Sequence, residues 1–252
     1  MRAILTASAV FAVLLCSRSA VHADDQADAK AIIEKATKAI GGGDEISKVH
    51  AVAISIKGKF HRFGDGVDYT GTIEFQAPDK QRVEIAMEVM NMKFTFKQIV
   101  NKDKGWKALN DDVTELDKEA IEELLEQRFA NGVAQLNPAV LKDAKLAPLG
   151  EITIDKKKAV GVRVESKGHR DVALFFDKET HLLLKSETRG KDIDAGGGEY
   201  AEEKFYSDYK QVGKLNIPHK VKFLRDGKPF LDSETTDYKV VDKIDDGQFK
   251  KP

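Results

Sequence analysis

The chain has 252 residues, with 41 Lys and Arg against 42 Asp and Glu and a formal net charge of −1. This balance excludes the dominant basic patch of a nucleic-acid binder, and an aromatic share of 8% beside 33% charged residues describes a modest core under a well-solvated surface. A single cysteine, Cys16, excludes a disulfide framework and any cysteine-built metal centre.

The chain opens with Met1-Arg2, a short positive start, followed by an apolar run from Ala3 to Leu15 that is too short to span a bilayer comfortably. Val21-His22-Ala23 then offers small residues at the two positions read by the export peptidase. The expectation is a secretory signal over residues 1–23, cut near Ala23, which also removes Cys16. A lipoprotein signal centred on Cys16 is disfavoured because Leu15 is bulky where a small residue is required. The remainder, 24–252, is expected to be one domain, exported to the periplasm or beyond and held together by its hydrophobic core.

Asp24 to Ile40 is predicted to be a helix, with Ile33, Ala36 and Ile40 on one face and Gly41-Gly42-Gly43 ending it. Asp44 to Lys48 makes a connector with a helical turn. A β region follows: Val52, Ile54, Ile56 and Phe60 alternate with polar or small residues up to a turn at Gly64-Asp65-Gly66. Val67, Tyr69, Ile73 and Phe75 continue the pattern to Ala77-Pro78-Asp79. Between Gln81 and Phe96 the alternation is strongest. Val83, Ile85, Met87, Val89, Met92, Phe94 and Phe96 form one apolar row, and the change of phase at Met90-Asn91 places a turn there. Asn101 to Gly105 is a turn cluster, and Trp106 to Leu109 starts another strand.

The period then becomes helical. Asp117 is a good N-cap, and Ile121, Leu124, Leu125, Phe129 and Val133 form a stripe opposed by Glu122, Glu123, Glu126 and Gln127, read as a solvated face. Asn137-Pro138 closes the helix, and Ala139 to Asp143 makes a further helical turn. After Pro148-Leu149-Gly150 strands resume, around Val160 to Val164, Val172 to Phe176, Leu182 to Lys185, Glu202 to Tyr209, Ile217 to Leu224 and Leu231 to Val241. A hairpin turn is expected at Asp226-Gly227 and a flexible loop over Gly190 to Gly198.

No catalytic or metal signature emerges. His50, His61, His169, His181 and His219 are scattered without zinc-site spacing. His61-Arg62 with Asp65 and Asp68 reads as a solvated hairpin end. Asp192 and Asp194 beside Gly196 to Gly198 lack the regular oxygen ligands of a calcium loop. Ser207, Asp208 and His219 lack a strained nucleophile elbow, which ranks an exported hydrolase last among the readings.

Several phrases together carry a resemblance: Ala39-Ile40-Gly41-Gly42 after the leading helix, Ala77-Pro78-Asp79-Lys80-Gln81-Arg82-Val83-Glu84, Lys104-Gly105-Trp106, Tyr206-Ser207-Asp208-Tyr209, Ile217-Pro218-His219-Lys220 and Asp245-Asp246-Gly247-Gln248-Phe249. The chain resembles the periplasmic lipoprotein-sorting carriers (LolA/LolB-like) over nearly all of its length after the leader. Against that resemblance the chain is expected to be longer than a typical carrier, with the Gly190 to Gly198 loop as the addition. The resemblance implies a mainly β fold with some α: an incomplete antiparallel β-barrel, or half-barrel, with helices covering the concave face. It also implies a non-enzymatic carrier or sensor that shelters a lipid or lipoprotein acyl chain. The lining proposed from the alternation is Phe60, Ile73, Phe75, Ile85, Met87, Met92, Phe94, Phe96 and Trp106, with Leu125 and Phe129 from the covering helix. The expected partners are a lipid or acylated lipoprotein, with transient contact to an envelope protein or membrane. No nucleic acid, no cofactor and no metal is expected, and a monomer is. The competing reading is a structural or interaction module of the cell envelope whose barrel is filled by its own side chains.

Overall fold

The structure, a computed structural model, describes residues 23–62, 65–193 and 196–252. The expected signal segment through residue 22, Gly64 of the first predicted turn and Asp194 of the predicted loop lie outside the described residues. Helix α1 (Ala23–Ala39) buries Ala29, Ile33 and Ala36, spaced as one helical stripe. It ends at Gly41, whose φ of 121° favours glycine and where a Cβ would lie 2.6 Å from the Lys214 carbonyl oxygen. A short helix, α2 (Gly43–Ser47), leads into the strands.

The strands are β1 (Ala51–Phe60), β2 (Val67–Gln76), β3 (Lys80–Val89), β4 (Met92–Asn101), β5 (Lys104–Leu109) and β6 (Asp112–Glu115). Helices α3 (Lys118–Ala134) and α4 (Pro138–Leu141) interrupt them. The chain then returns through β7 (Lys145–Ile154), β8 (Lys157–Glu165), β9 (Val172–Asp177), β10 (Leu183–Asp192), β11 (Gly198–Val212), β12 (Leu215–Arg225) and β13 (Lys228–Val241), before a closing 3-10 turn at Asp246–Phe249. Met90 and Asn91 have φ of 51° and 62°, and Asp226 and Gly227 have 50° and 72°. Positive φ at both central residues is the hairpin geometry that follows the right-handed twist of the strands. The predicted loop over Gly190 to Gly198 is shorter than expected, because β10 runs to Asp192 and β11 begins at Gly198.

All thirteen strands form one antiparallel sheet in the order β6-β5-β4-β3-β2-β1-β13-β12-β11-β10-β9-β8-β7. Every neighbouring pair is consecutive in the chain except β1 with β13, where the two meanders meet in the middle. The sheet does not close: β6 and β7 are its free edges, and it forms an open half-barrel. Edge strand β7 contains Pro148 and shifts register between Pro148 and Gly150, both tolerated where one side needs no ladder partner.

Facing pairs identify the two surfaces. Val162, Leu174, Ser186, Lys204, Phe223, Leu231 and Phe60 are successive partners from β8 to β1, so they share one face. On that face the main core packs Val162, Val164, Leu174, Phe176 and Leu183 against α1, Ala130 and Val133 of α3, and α4 beside them. This is the concave face, covered by helices over β7 to β10.

The opposite, convex face has its own cluster. Phe249 and Ile244 of the C-terminal tail are buried against Ala51 and Ile99, with Trp106 and Val241 packed around them. Asn101 Nδ2 donates to the Phe249 carbonyl oxygen at 3.2 Å, and Lys80 pairs with Asp246 at 2.6 Å. Phe249 is among the largest fully buried side chains. Phe249→Ala is expected to cost roughly 3–5 kcal/mol, read as a lowered urea midpoint with an unchanged denaturant slope.

Candidate binding face

Across β1 to β4 the concave row is continuous. Ile54 faces Ile73, which faces Val83; Phe75 faces Val52; Ile85 faces Phe96; Met87 faces both Tyr69 and Phe94. Leu109 of β5 extends the row beside Phe96. Ile73, Phe75, Ile85, Met87, Phe94 and Phe96 are all partly exposed, whereas the apolar side chains facing α1 and α3 over β8 and β9 are almost fully buried. The row ends at an apolar tip, where Met90 is 88% exposed and Met92 55%. Arg82, Glu74 and Glu84 occupy the reverse of these strands, paired with one another on the convex side. The sheet therefore presents an open apolar wall backed by a charged outer surface.

The predicted lining divides accordingly. Phe60, Ile73, Phe75, Ile85, Met87, Met92, Phe94 and Phe96 share the concave face, with Phe60 edge-on to Phe230 at 5.2 Å. Trp106 does not join them. It faces Ile99 across the β4–β5 ladder and packs in the tail cluster on the convex side, because the concave positions of β5 are Gly105, Lys107 and Leu109. Leu125 and Phe129 lie on the flank of α3 turned toward the β8–β9 connection. Phe129 stacks on the His169 ring at 3.6 Å, and Leu125 borders a concavity of about 510 Å³ with Glu119, Glu122 and Glu126. A second concavity, of about 310 Å³, is on the convex side and includes Ala53, Ser55, Thr72, Glu74 and Arg82. Neither includes Phe94 or Phe96.

Helix α3 begins where Asp117 accepts a hydrogen bond from the Ala120 N–H at 2.8 Å, and it crosses the concave side. Toward β5 it presents Ile121; a Cβ at Gly105 would be 3.1 Å from Ile121 Cγ1, so glycine there permits the close approach. Toward β2 it presents Arg128, whose Cζ is 5.1 Å from the centre of the Phe75 ring.

A polar seam that sequence reasoning assigned to solvent runs along α3. Glu123, only 4% exposed, accepts from Arg170 at 2.6 and 3.0 Å and from the Lys191 backbone N–H at 3.0 Å. Gln127 contacts the Tyr200 hydroxyl at 3.5 Å, and Asn131 accepts from Lys204 Nζ at 2.9 Å. Glu126 accepts from the Arg170 backbone N–H at 2.7 Å and pairs with His169 at 2.8 Å. The signal was present in the spacing: 123, 127 and 131 are successive fourth residues and fall on one stripe. Burial alone would raise the Glu123 pKa, but the hydrogen bonds from Arg170, the Lys191 backbone and Gln127 outweigh it and hold the carboxyl below its ordinary value. Burial likewise pushes the Tyr200 phenol up to about 12.

Several of the remaining polar candidates have partners within the sheet. His61 pairs with Asp232 at 3.0 Å and Lys59 with Asp68 at 3.0 Å, while His219 Nδ1 donates to the Ile217 carbonyl oxygen at 3.0 Å. Among the described residues no group of three or more His, Cys, Asp or Glu is placed to hold a metal ion, and no helix is long and apolar enough to cross a membrane.

No family model matches the sequence, and no curated protein matches it. Solved structures do. The LolA superfamily protein NE2245 from Nitrosomonas europaea superposes with a TM-score of 0.54 at 15% identity, over 88% of this chain and 97% of that one. A domain provisionally assigned as an outer membrane lipoprotein-sorting protein from Vibrio parahaemolyticus gives 0.52 at 10% identity, over 89% and 97%. A DUF1329 family protein from Desulfovibrio piger gives 0.53 at 12% identity, over 88% and 97%. At these identities the likeness is one of fold.

Removing the Glu123 carboxylate leaves the Lys191 N–H without its acceptor and Arg170 with only the Arg189 carbonyl oxygen, so Glu123→Ala is expected to cost roughly 3 kcal/mol in urea unfolding at neutral pH. Folding depresses this pKa below its ordinary 4.5, so the contribution is complete above that value and is lost as the pH falls through the folded one. The gap between wild type and variant should narrow over that acidic window when unfolding is followed by circular dichroism.

Proposed function

We propose that this chain, built on the fold of the lipoprotein-sorting carriers, is an exported, non-enzymatic carrier or sensor that holds an acyl chain along its open concave wall. The single observation that carries this reading is the partly exposed row Ile73, Phe75, Ile85, Met87, Phe94 and Phe96. A sheet face that the chain's own helices leave partly uncovered is surface a fatty tail can take from water. Each methylene buried there contributes about 0.8 kcal/mol, so a dozen would bind usefully without a charged contact. Met87 and Met92 suit cargo of varied shape, because the thioether side chain is flexible and polarizable.

In this reading residues 1–23 are the export signal, residues 24–252 are a single carrier domain, and the cargo is a lipid or the acyl group of a lipoprotein. The chain acts as a monomer and meets an envelope protein or membrane transiently at loading and release. Trp106 takes no part in holding cargo.

Phe94→Glu and Met87→Glu test the proposal. Both are expected to reduce uptake of a fluorescent fatty acid by at least about tenfold while the far-ultraviolet circular dichroism is retained, since a charge on a solvent-accessible wall repels an acyl chain without unfolding the sheet. Native mass spectrometry of protein purified from its host is expected to show bound lipid. A lipid-free mass together with no uptake by the wild type would favour a filled envelope interaction module.

A further inference from the structure

Arg128 stands apart from the other polar groups of α3. Glu123, Gln127 and Asn131, on the neighbouring stripe, each have a partner on the sheet or its connections. Arg128 lies on the flank facing β2, with its guanidinium over the Phe75 ring and its Nη1 buried without a hydrogen-bond partner. Among the described residues it makes no hydrogen bond and no ion pair; Asp79 is the acidic group whose charge reaches it. Burial lowers its pKa, against the opposing influence of Asp79, yet a guanidinium stays charged at any physiological pH.

A half-buried cation with a buried, unsatisfied donor is costly to keep, and a ring on one face satisfies only part of it. The ring leaves the in-plane N–H groups, whose fork matches a carboxylate or phosphate oxygen pair. Phe75 belongs to the same apolar row as Ile73, Ile85 and Phe96, so this cation stands against the wall proposed to hold an acyl chain.

We infer that Arg128 is the anchor for the anionic oxy-group of an amphiphile, a fatty carboxylate or a lipid phosphate, whose tail lies along the β2–β4 wall. This rests on the acyl-carrier reading and narrows it, from any acyl chain to one that ends in an anion. Binding supplies the partner that the folded chain withholds from Arg128. Charge selection then comes from α3 and chain selection from the sheet.

Equilibrium binding of pyrenedodecanoic acid and its methyl ester to the full-length exported protein at pH 7.4 tests the assignment. The wild type is expected to prefer the acid about tenfold, a modest value for a charge-assisted hydrogen bond. Arg128→Met is expected to abolish that preference while keeping ester affinity, and to raise the melting temperature because a buried donor without a partner is gone. Arg128→Lys should keep part of the preference, and Arg128→Gln, which retains polarity, serves if the methionine variant does not fold.

A preference that persists in Arg128→Met, or a wild type that binds acid and ester equally, overturns the anchor while leaving the acyl carrier in place. A lowered melting temperature with unchanged selectivity assigns Arg128 to holding α3 on Phe75 and also overturns it. Binding of neither probe overturns both readings. Lysophosphatidate displacing the acid supports an anchor that accepts phosphate as well. Inorganic phosphate displacing it equally well would mean recognition of an anion without its chain, and would overturn the assignment to an amphiphile.

Discussion

The pairing of β1 with β13 is the contact on which the architecture depends. Without it the chain would be two separate meanders, β1 to β6 and β7 to β13. With it they become one sheet whose free edges, β6 and β7, are joined in sequence by the α3–α4 segment. A short helical connection between the two edges of a curled sheet is led across the hollow side. The position of α3 is thus a consequence of topology before any side chain contributes. The side chains then hold it there: Ala130 and Val133 in the core under α1, Glu123 to Arg170 and Lys191, and Asn131 to Lys204.

The two halves of the concave face differ because the helices are unevenly distributed. Over β8 to β10 the face is sealed, and the valines, Leu174 and Phe176 there are nearly inaccessible. Over β2 to β4 the same kind of side chain remains partly in water. A uniformly sealed sheet would be a core and nothing more. The unevenness gives the molecule a sealed half and a partly open half, and α3 lies between them with its polar seam toward one and Arg128 toward the other.

Much of this was legible in the sequence for physical reasons. Strict alternation from Gln81 to Phe96 predicts the β3–β4 hairpin, and Asp117 predicts the start of α3 within a residue, because a cap and a period of two are local properties. What was not legible depends on long-range pairing. Trp106 looks like a lining residue by its chemistry, but the register of β5 on β4 turns it outward to meet Ile244 and Phe249, far away in sequence. The stripe Glu123, Gln127, Asn131 looks like a wet helix face until β10 and β11 supply its partners. Strand β6 is too short to show a period, and β7 carries a proline and glycine that read as a break and prove to be a bulge on an edge.

That edge has a consequence for life at high concentration. An open barrel leaves two rows of unsatisfied backbone groups, each a template on which another copy could add a strand. Here one margin is only Asp112–Glu115, a stub with an acidic residue at either end, and the other is interrupted by Pro148 and kinked by its bulge. Neither offers a long flat ladder, so the sheet can stay open without inviting fibril-like stacking of its own kind.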